Sequence, residues 1–304
     1  MPRFSIVLPC YNAAATLPET LASIRAQTLA DWELICIDDG SEDDTARLLK
    51  DATAADGRIR LVPNPSSGPS AARNVALSHA RADIIAFCDA DDLWAAHKLE
   101  RLEAEFKDPS VAASYARVAF FDGDRARSHS TVPQGDLSIA TLLGENPVCT
   151  MSNVAVRRDA FRQTGGFDTD MVHNEDLEWL IRLVGDGHRV TGIDDCLVQY
   201  RTSHSGLSAD LAAMRAGRDR ALATAARYGH VADRAAEAVY ARYLARRALR
   251  VGAPGAEAFR LSLHGIATSP RGFFSDLRRG LLTAAGACAA PLLPAGLRRT
   301  LFAS

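Results

Sequence analysis

The sequence has no Cys-x-x-Cys pair, no internal repeat, no low-complexity linker and no apolar run long enough to cross a bilayer. Its six cysteines, at positions 10, 36, 88, 149, 196 and 288, are scattered, and three of them lie inside apolar strand-like runs. That spacing excludes a disulfide framework and a cysteine zinc site, and it predicts buried thiols in a reducing compartment. MPRFSIVLPCYN runs into a strand without a basic, apolar and small-residue leader, so no signal peptide and a cytoplasmic location are expected. The uncharged segment LLTAAGACAAPLLPAGL (281–297) has 17 residues and is broken by Pro291 and Pro294. A spanning helix needs about 20 apolar residues, so a core or interfacial position is expected for it.

What is present suits one large α/β domain with an appendage: 304 residues, 47% of them hydrophobic, and a net charge of −2. The small sum hides an asymmetry. From Leu211 to Ser304 there are 15 arginines against 5 acids, a net +10, which leaves −12 on residues 1–210. Helices whose arginines face water account for this most simply, and attraction to an anionic surface is the alternative.

FSIVLP (4–9), WELICIDDG (32–40), IRLVPN (59–64) and DIIAFCDADD (83–92) read as buried strands. Helical stretches separate them at LPETLASIRAQ (17–27), TARLLKDATA (45–54) and GPSAARNVALSHA (68–80). The alternation predicts a mostly parallel sheet covered on both faces, with ligands beyond the carboxyl ends of the strands. PCYN, DDGS, NPSSGPS and DADD all fall at such ends and are expected to converge on one edge. Past Val111 the pattern loosens, with strand-like VAASYARVAFF, VAVRRDAF and HRVTGI and a helix over Glu175 to Val184. Nearly everything after Leu211 reads as helix, so a boundary near 205 divides a catalytic domain (1–205) from a basic helical extension (206–304).

The fourth strand stops at three carboxylates within four positions, Asp89, Asp91 and Asp92. Like charges this close raise one another's pKa, and such groups usually have a cation or a proton between them. Asp-x-Asp at a strand end suits Mg²⁺ or Mn²⁺, which takes one or two protein carboxylates and completes its shell with phosphate and water. Alone, the tripeptide fits a solvated loop tip or a helix N-cap equally well. Asp38-Asp39-Gly40-Ser41 closes the second strand, where a carboxylate can accept from a base or ribose and glycine permits a tight turn. Its other reading is an N-cap, expected of Ser41, for a helix beginning near Asp43. Gly68 to Asn74 starts a helix with Arg73 in its first turn, which suits a phosphate or a pairing with a surface acid. Glu175 and Asp176 open a helix anchored by Leu177, Leu180, Ile181 and Val184; they project into a cleft or merely complement the helix macrodipole.

In this order, LPCYNAAATLPETLASIRAQT, ICIDDGSEDDT, GPSAARNVAL, IIAFCDADDLW, RRDAFRQTGGFD and HNEDLEWLIRL, spread over residues 4–205, resemble a family 2 glycosyltransferase of the GT-A fold. The resemblance implies a Rossmann-like α/β domain with a mostly parallel sheet flanked by helices, here followed by a helical extension. It implies Asp39, with Asp38, at the base and ribose of a sugar-nucleotide donor, Pro9 and Tyr11 flanking the base, and Arg73 near the phosphates. Asp89 and Asp91 would hold Mn²⁺ or Mg²⁺, with Asp91 as the direct ligand. Asp176 would be the base that takes the acceptor proton, for an in-line attack that inverts the anomeric carbon. His204, in YRTSHSGLS, would reach toward the diphosphate or metal. Trp94 and Lys98 would border the donor site or else pack and cap the next helix. Gly165-Gly166-Phe167-Asp168, together with Glu175, would shape the sugar pockets, the alternative for Gly166 being a simple turn.

Processive members of that family carry Gln-x-x-Arg-Trp after the base and several transmembrane helices; Arg-Trp occurs nowhere here, so transfer of single sugars is expected. A UDP-sugar is the expected donor, and a hydroxyl of a glycan, lipid-linked or other acceptor in surface polysaccharide or glycoconjugate synthesis the expected recipient. Peripheral contact with an anionic membrane and self-association complete the expected partners, with no nucleic acid among them. A haloacid-dehalogenase-type phosphatase would need Asp-x-Asp-x-Thr after strand one, and a nucleotidyltransferase a Gly-rich basic loop there, whereas strand one leads into PCYN. A catalytically inactive sugar-nucleotide-binding or scaffold protein of the same fold stays open, with the joint presence of Asp91 and Asp176 against it.

Overall fold

Residues 1–121, 125–202 and 210–302 are described by the computed structural model. A nine-stranded sheet is built from β1 (Phe4–Cys10), β2 (Trp32–Asp38), β3 (Ile59–Pro63), β4 (Ile84–Phe87), β5 (Leu93–Trp94), β6 (Val111–Phe121), β7 (Ala126–His129), β8 (Ala155–Arg157) and β9 (Arg189–Arg201). Its order is β3-β2-β1-β4-β8-β6-β9-β5, with β7 paired to β6. The first four strands run parallel, as do β6 and β9, whereas β8, β5 and β7 pair antiparallel. Phe4, Ile6, Val7 and Leu8 on β1, and Leu34 to Ile37 on β2, are fully buried. Consecutive buried residues mean that both faces of the sheet are covered, which is why these strands read as unbroken apolar runs.

Helices α1 (Leu17–Arg25), α2 (Thr45–Ala55), α3 (Pro69–His79) and α4 (Lys98–Glu105) follow the expected alternation. α5 (Ile139–Gly144) comes after β7, α6 (Arg158–Gln163) after β8, and α7 (Glu175–Gly185) lies between α6 and β9. VAVRRDAF divides at Arg157, its first half pairing as β8 and its second half coiling as α6. HRVTGI extends to Arg201 because β9 finds backbone partners along β6. Ser41 does not cap α2: its Oγ accepts from the Asn12 backbone N–H at 2.9 Å, and Asp43 Oδ1 accepts from Thr45 N–H at 3.0 Å.

Two units result, Met1–Leu137 with Val148–Arg201, and Ser138–Pro147 with Thr202–Ser304. The segment 138–147, which the sequence reading left in the first domain, belongs to the second. There α5 joins α8 (Leu211–Arg227), α9 (Arg234–Arg250), α10 (Gly255–Thr268), α11 (Pro270–Phe273), α12 (Leu277–Ala289) and α13 (Ala295–Phe302) around Leu211, Leu244, Ala248, Ala258 and Ala287. Its arginines do not simply face water. Arg218 is 5% exposed, pairs with Glu237 at 3.0 Å and donates to the Leu143 carbonyl, while Arg242 is 3% exposed and pairs with Glu145 at 3.3 Å. Cys288 is exposed, unlike the buried thiols expected, whereas Cys10, Cys36 and Cys88 are buried. Among the described residues no helix is long and apolar enough to cross a membrane.

Candidate active site

Arg73 occupies the centre of the acidic residues singled out from the sequence. α3 begins at Pro69, after Gly68 at φ +94°, so Arg73 stands in the second helical turn rather than the first. Its Nη2 donates to Asp89 Oδ1 at 2.7 Å and its Nη1 to Glu175 Oε1 at 2.9 Å, with only 5% of the residue exposed. Burial works against its charge, but Asp89 and Glu175 more than offset this and hold its pKa above the ordinary value. The guanidinium is therefore committed to two carboxylates, and it ties the end of β4 to the start of α7.

The start of α7 is held from behind. Trp179 is fully buried among Phe87, Phe161 and Phe167, with ring centroids 5.2 to 6.4 Å apart, and its Nε1 donates to Thr164 Oγ1 at 3.0 Å. Arg182 pairs with Glu178 at 2.7 Å and donates to the carbonyls of Thr164 and Gly166. Glu175 and Asp176 thus project from a rigid support. Burial, then the neighbouring Glu175, push the Asp176 carboxyl up to about 7, against the opposing pull of Arg73. A carboxylate poised near neutrality is suited to taking a proton.

At the strand end, burial and then Asp89 push Asp91 up to about 6. Asp92 is fully buried, and burial followed by Asp91 and Asp89 raises its pKa well above the usual range. Three residues distant in sequence hold this loop. The Thr150 hydroxyl lies 3.2 Å from Asp89 Oδ2 and 3.3 Å from Asp92 Oδ2, and the Asp89 N–H donates to Ser152 Oγ at 2.9 Å. Arg201 donates its backbone N–H to Asp92 Oδ1 and its Nε to the Asp91 carbonyl, both at 3.0 Å. Sequence reasoning missed Thr150, Ser152 and Arg201. The available signal was Asp92, a third carboxylate left without a partner.

Asp91 fits a divalent cation, being desolvated and repelled by Asp89 two residues away, whereas both Asp89 oxygens already accept, from Arg73 and from Thr150. Among the described residues no three His, Cys, Asp or Glu side chains are grouped to hold a metal unaided. His204 lies outside the described residues. The nucleotide half adjoins: β1 and β2 pair Cys10 with Asp38, which brings PCYN beside DDGS. Tyr11 is 61% exposed, Pro9 is half-buried, and Asp38 Oδ1 accepts from Ser41 N–H at 3.3 Å. Asp39 already accepts from Asn64 Nδ2 at 2.6 Å and from Gly68 N–H at 2.8 Å, so it also shapes the loop that launches α3.

Trp94 is 4% exposed with its Nε1 on the Ser152 carbonyl, and Lys98, fully buried, donates to the same oxygen at 3.2 Å. Both are buried and tied to the Ser152 carbonyl, which fits the packing alternative. Gly166 has φ +78°, and a Cβ there would lie 2.7 Å from Asn74 Oδ1; its place is a turn that only glycine fits.

A mostly parallel sheet with Asp-x-Asp at its carboxyl edge has the architecture of the GT-A fold, and solved structures share that fold. The chain matches TarS 1-349 of S. aureus in complex with UDP-GlcNAc at a TM-score of 0.63, 14% identity and coverage of 94% of this chain and 90% of that one. It matches the mannosyltransferase PcManGT of Pyrobaculum calidifontis, in complex with GDP-Man and Mn²⁺, at 0.60, 21% identity and coverage of 99% and 84%. Residues 5–165 match Glycosyl transferase family 2. Over 209 residues the chain is 30% identical to the UDP-Glc:alpha-D-GlcNAc-diphosphoundecaprenol beta-1,3-glucosyltransferase WfgD of Escherichia coli, covering 68% of this chain and 79% of that one. The chain belongs to glycosyl transferase family 2 and is a glycosyltransferase.

Proposed function

We propose that residues 1–205 transfer a single sugar, with inversion, from a UDP-sugar to a hydroxyl of a lipid-linked or other glycan acceptor in surface polysaccharide synthesis, at the inner face of the cell membrane. The observation that carries this is Arg73, which joins Asp89 of the metal motif to Glu175 beside Asp176. Donor and acceptor chemistry thereby share one constellation. Asp91 and Asp89 would hold Mn²⁺ or Mg²⁺, which when bound neutralises the donor diphosphate and makes UDP a competent leaving group. Asp39 and Asp38 receive the ribose and base against Tyr11 and Pro9. Asp176 accepts the proton of the acceptor hydroxyl as that oxygen attacks the anomeric carbon in line. WfgD, whose name includes a UDP-Glc donor and a diphosphoundecaprenol acceptor, supports the donor and acceptor classes. The PcManGT complex with Mn²⁺ supports the metal.

The competing reading is an inactive sugar-nucleotide binder. Thermal-shift screening of nucleotide sugars with and without Mn²⁺, followed by a UDP-release assay, separates the two. The expected result is Mn²⁺-dependent stabilisation by a UDP-sugar and steady release of UDP. Stabilisation without release, with every candidate acceptor supplied, would make the chain a binder.

A further inference from the structure

Helices α10 and α12 bury small residues and expose large apolar ones. On α10 the buried residues include Ala258, Ser262 and Gly265, while Phe259 and Leu263 are 39% and 56% exposed. On α12 the buried face is Gly280, Thr283, Gly286 and Ala287, while Leu277, Leu281 and Leu282 are 63%, 55% and 64% exposed. Leu292, in the turn that follows, is 85% exposed. The pairs 259/263 and 277/281 are each four apart, so each helix presents its large residues along one outer stripe, and α10 packs against α12. Single exposed leucines are ordinary, but this concentration along neighbouring helices marks an interaction surface.

The charge around the stripes selects the partner. Arg260, Arg271 and Arg278 are exposed on the same segment. Across residues 255–302 the only acids are Glu257 and Asp276, and Asp276 caps α12 through the Arg279 N–H. Arg279 itself turns to Asp276 at 3.3 Å, so it is not one of these outward cations. A second copy of this face would set arginine against arginine; an anionic surface would not.

We infer that the outer faces of α10 and α12, with the Leu292 turn, dock on an anionic lipid bilayer. The leucines enter the headgroup boundary, and Arg260, Arg271 and Arg278 meet lipid phosphates. This rests on the inner-face reading above and gives it a surface.

Flotation of the full chain with acceptor-free vesicles tests it, and because no donor or acceptor is present the result is independent of catalysis. Vesicles of phosphatidylcholine alone are compared with vesicles that also contain phosphatidylglycerol. The wild type is expected to float with the anionic vesicles at least about tenfold more than with the neutral ones, and salt is expected to weaken this. The double change Leu281→Ser with Leu282→Ser, at exposed positions and with an unchanged melting curve, is expected to lose most of the binding. Arg271→Gln with Arg278→Gln is expected to lose the anionic preference. A wild type that stays in the soluble fraction at low ionic strength overturns the inference. So does wild-type flotation by both variants, or a dimer in sedimentation that the leucine changes dissolve while vesicle binding is absent.

Discussion

Asp176→Asn is expected to bind the donor as the wild type does and to transfer sugar at least about 10²-fold more slowly, the lower end of what losing a positioned base costs. The amide preserves the shape of the side chain but cannot take a proton. The wild-type carboxyl is pushed up to about 7, chiefly by burial and then by Glu175. Its basic form exists above that pH, so wild-type turnover should rise as pH passes through about 7, and the residual turnover of the variant should not. Calorimetric donor affinity measured beside kcat separates the possibilities. Transfer near the wild-type rate would remove Asp176 from the chemistry, and a matching loss of donor binding would make it a donor-site residue.

Asp91→Asn should do the opposite, abolishing metal-dependent donor binding in a folded protein. Losing an outer-shell partner of a metal site typically costs about 10–100-fold in affinity, and losing a direct ligand should cost more. Without metal the variant should also be the more stable protein at neutral pH. A carboxyl raised to about 6 from an ordinary 3.8 carries no penalty below both values, and stability is lost as pH rises from about 4 through 6. Asparagine never ionises, so it should gain about 3 kcal/mol over metal-free wild type at neutral pH, with the gap closing toward about pH 4. UDP titration with Mn²⁺ and paired melting curves read both effects. Unchanged Mn²⁺-dependent affinity would refute the metal assignment.

The strands were legible because burial on both faces writes them as unbroken apolar runs, and the convergence of PCYN, DDGS and DADD followed from parallel topology alone. The partners of the acids were not. Arg73 meets Glu175 across 102 positions, and helix periodicity says nothing about which acid a guanidinium will meet. For the same reason Thr150, Ser152 and Arg201 left no local mark, since they act through long-range hydrogen bonds on a loop 58 to 110 residues away. For Trp94 and Lys98 the sequence left two readings open, a border of the donor site or packing at the next helix. The Ser152 carbonyl claims both of them. The segment 138–147 changes unit without a change in composition. In 281–297 the lack of charge was visible, but that small residues would face inward and leucines outward was a property of the neighbouring helices.

A single in-line displacement with Asp176 as its base, as proposed above, would invert the anomeric carbon, and water can serve as the acceptor when no other is known. The decisive measurement is proton NMR of the sugar released from an α-linked UDP-sugar in the presence of Mn²⁺, recorded before mutarotation mixes the anomers. The β-configured sugar should appear first. Initial release of the α-sugar would contradict a one-step displacement with Asp176 as its base.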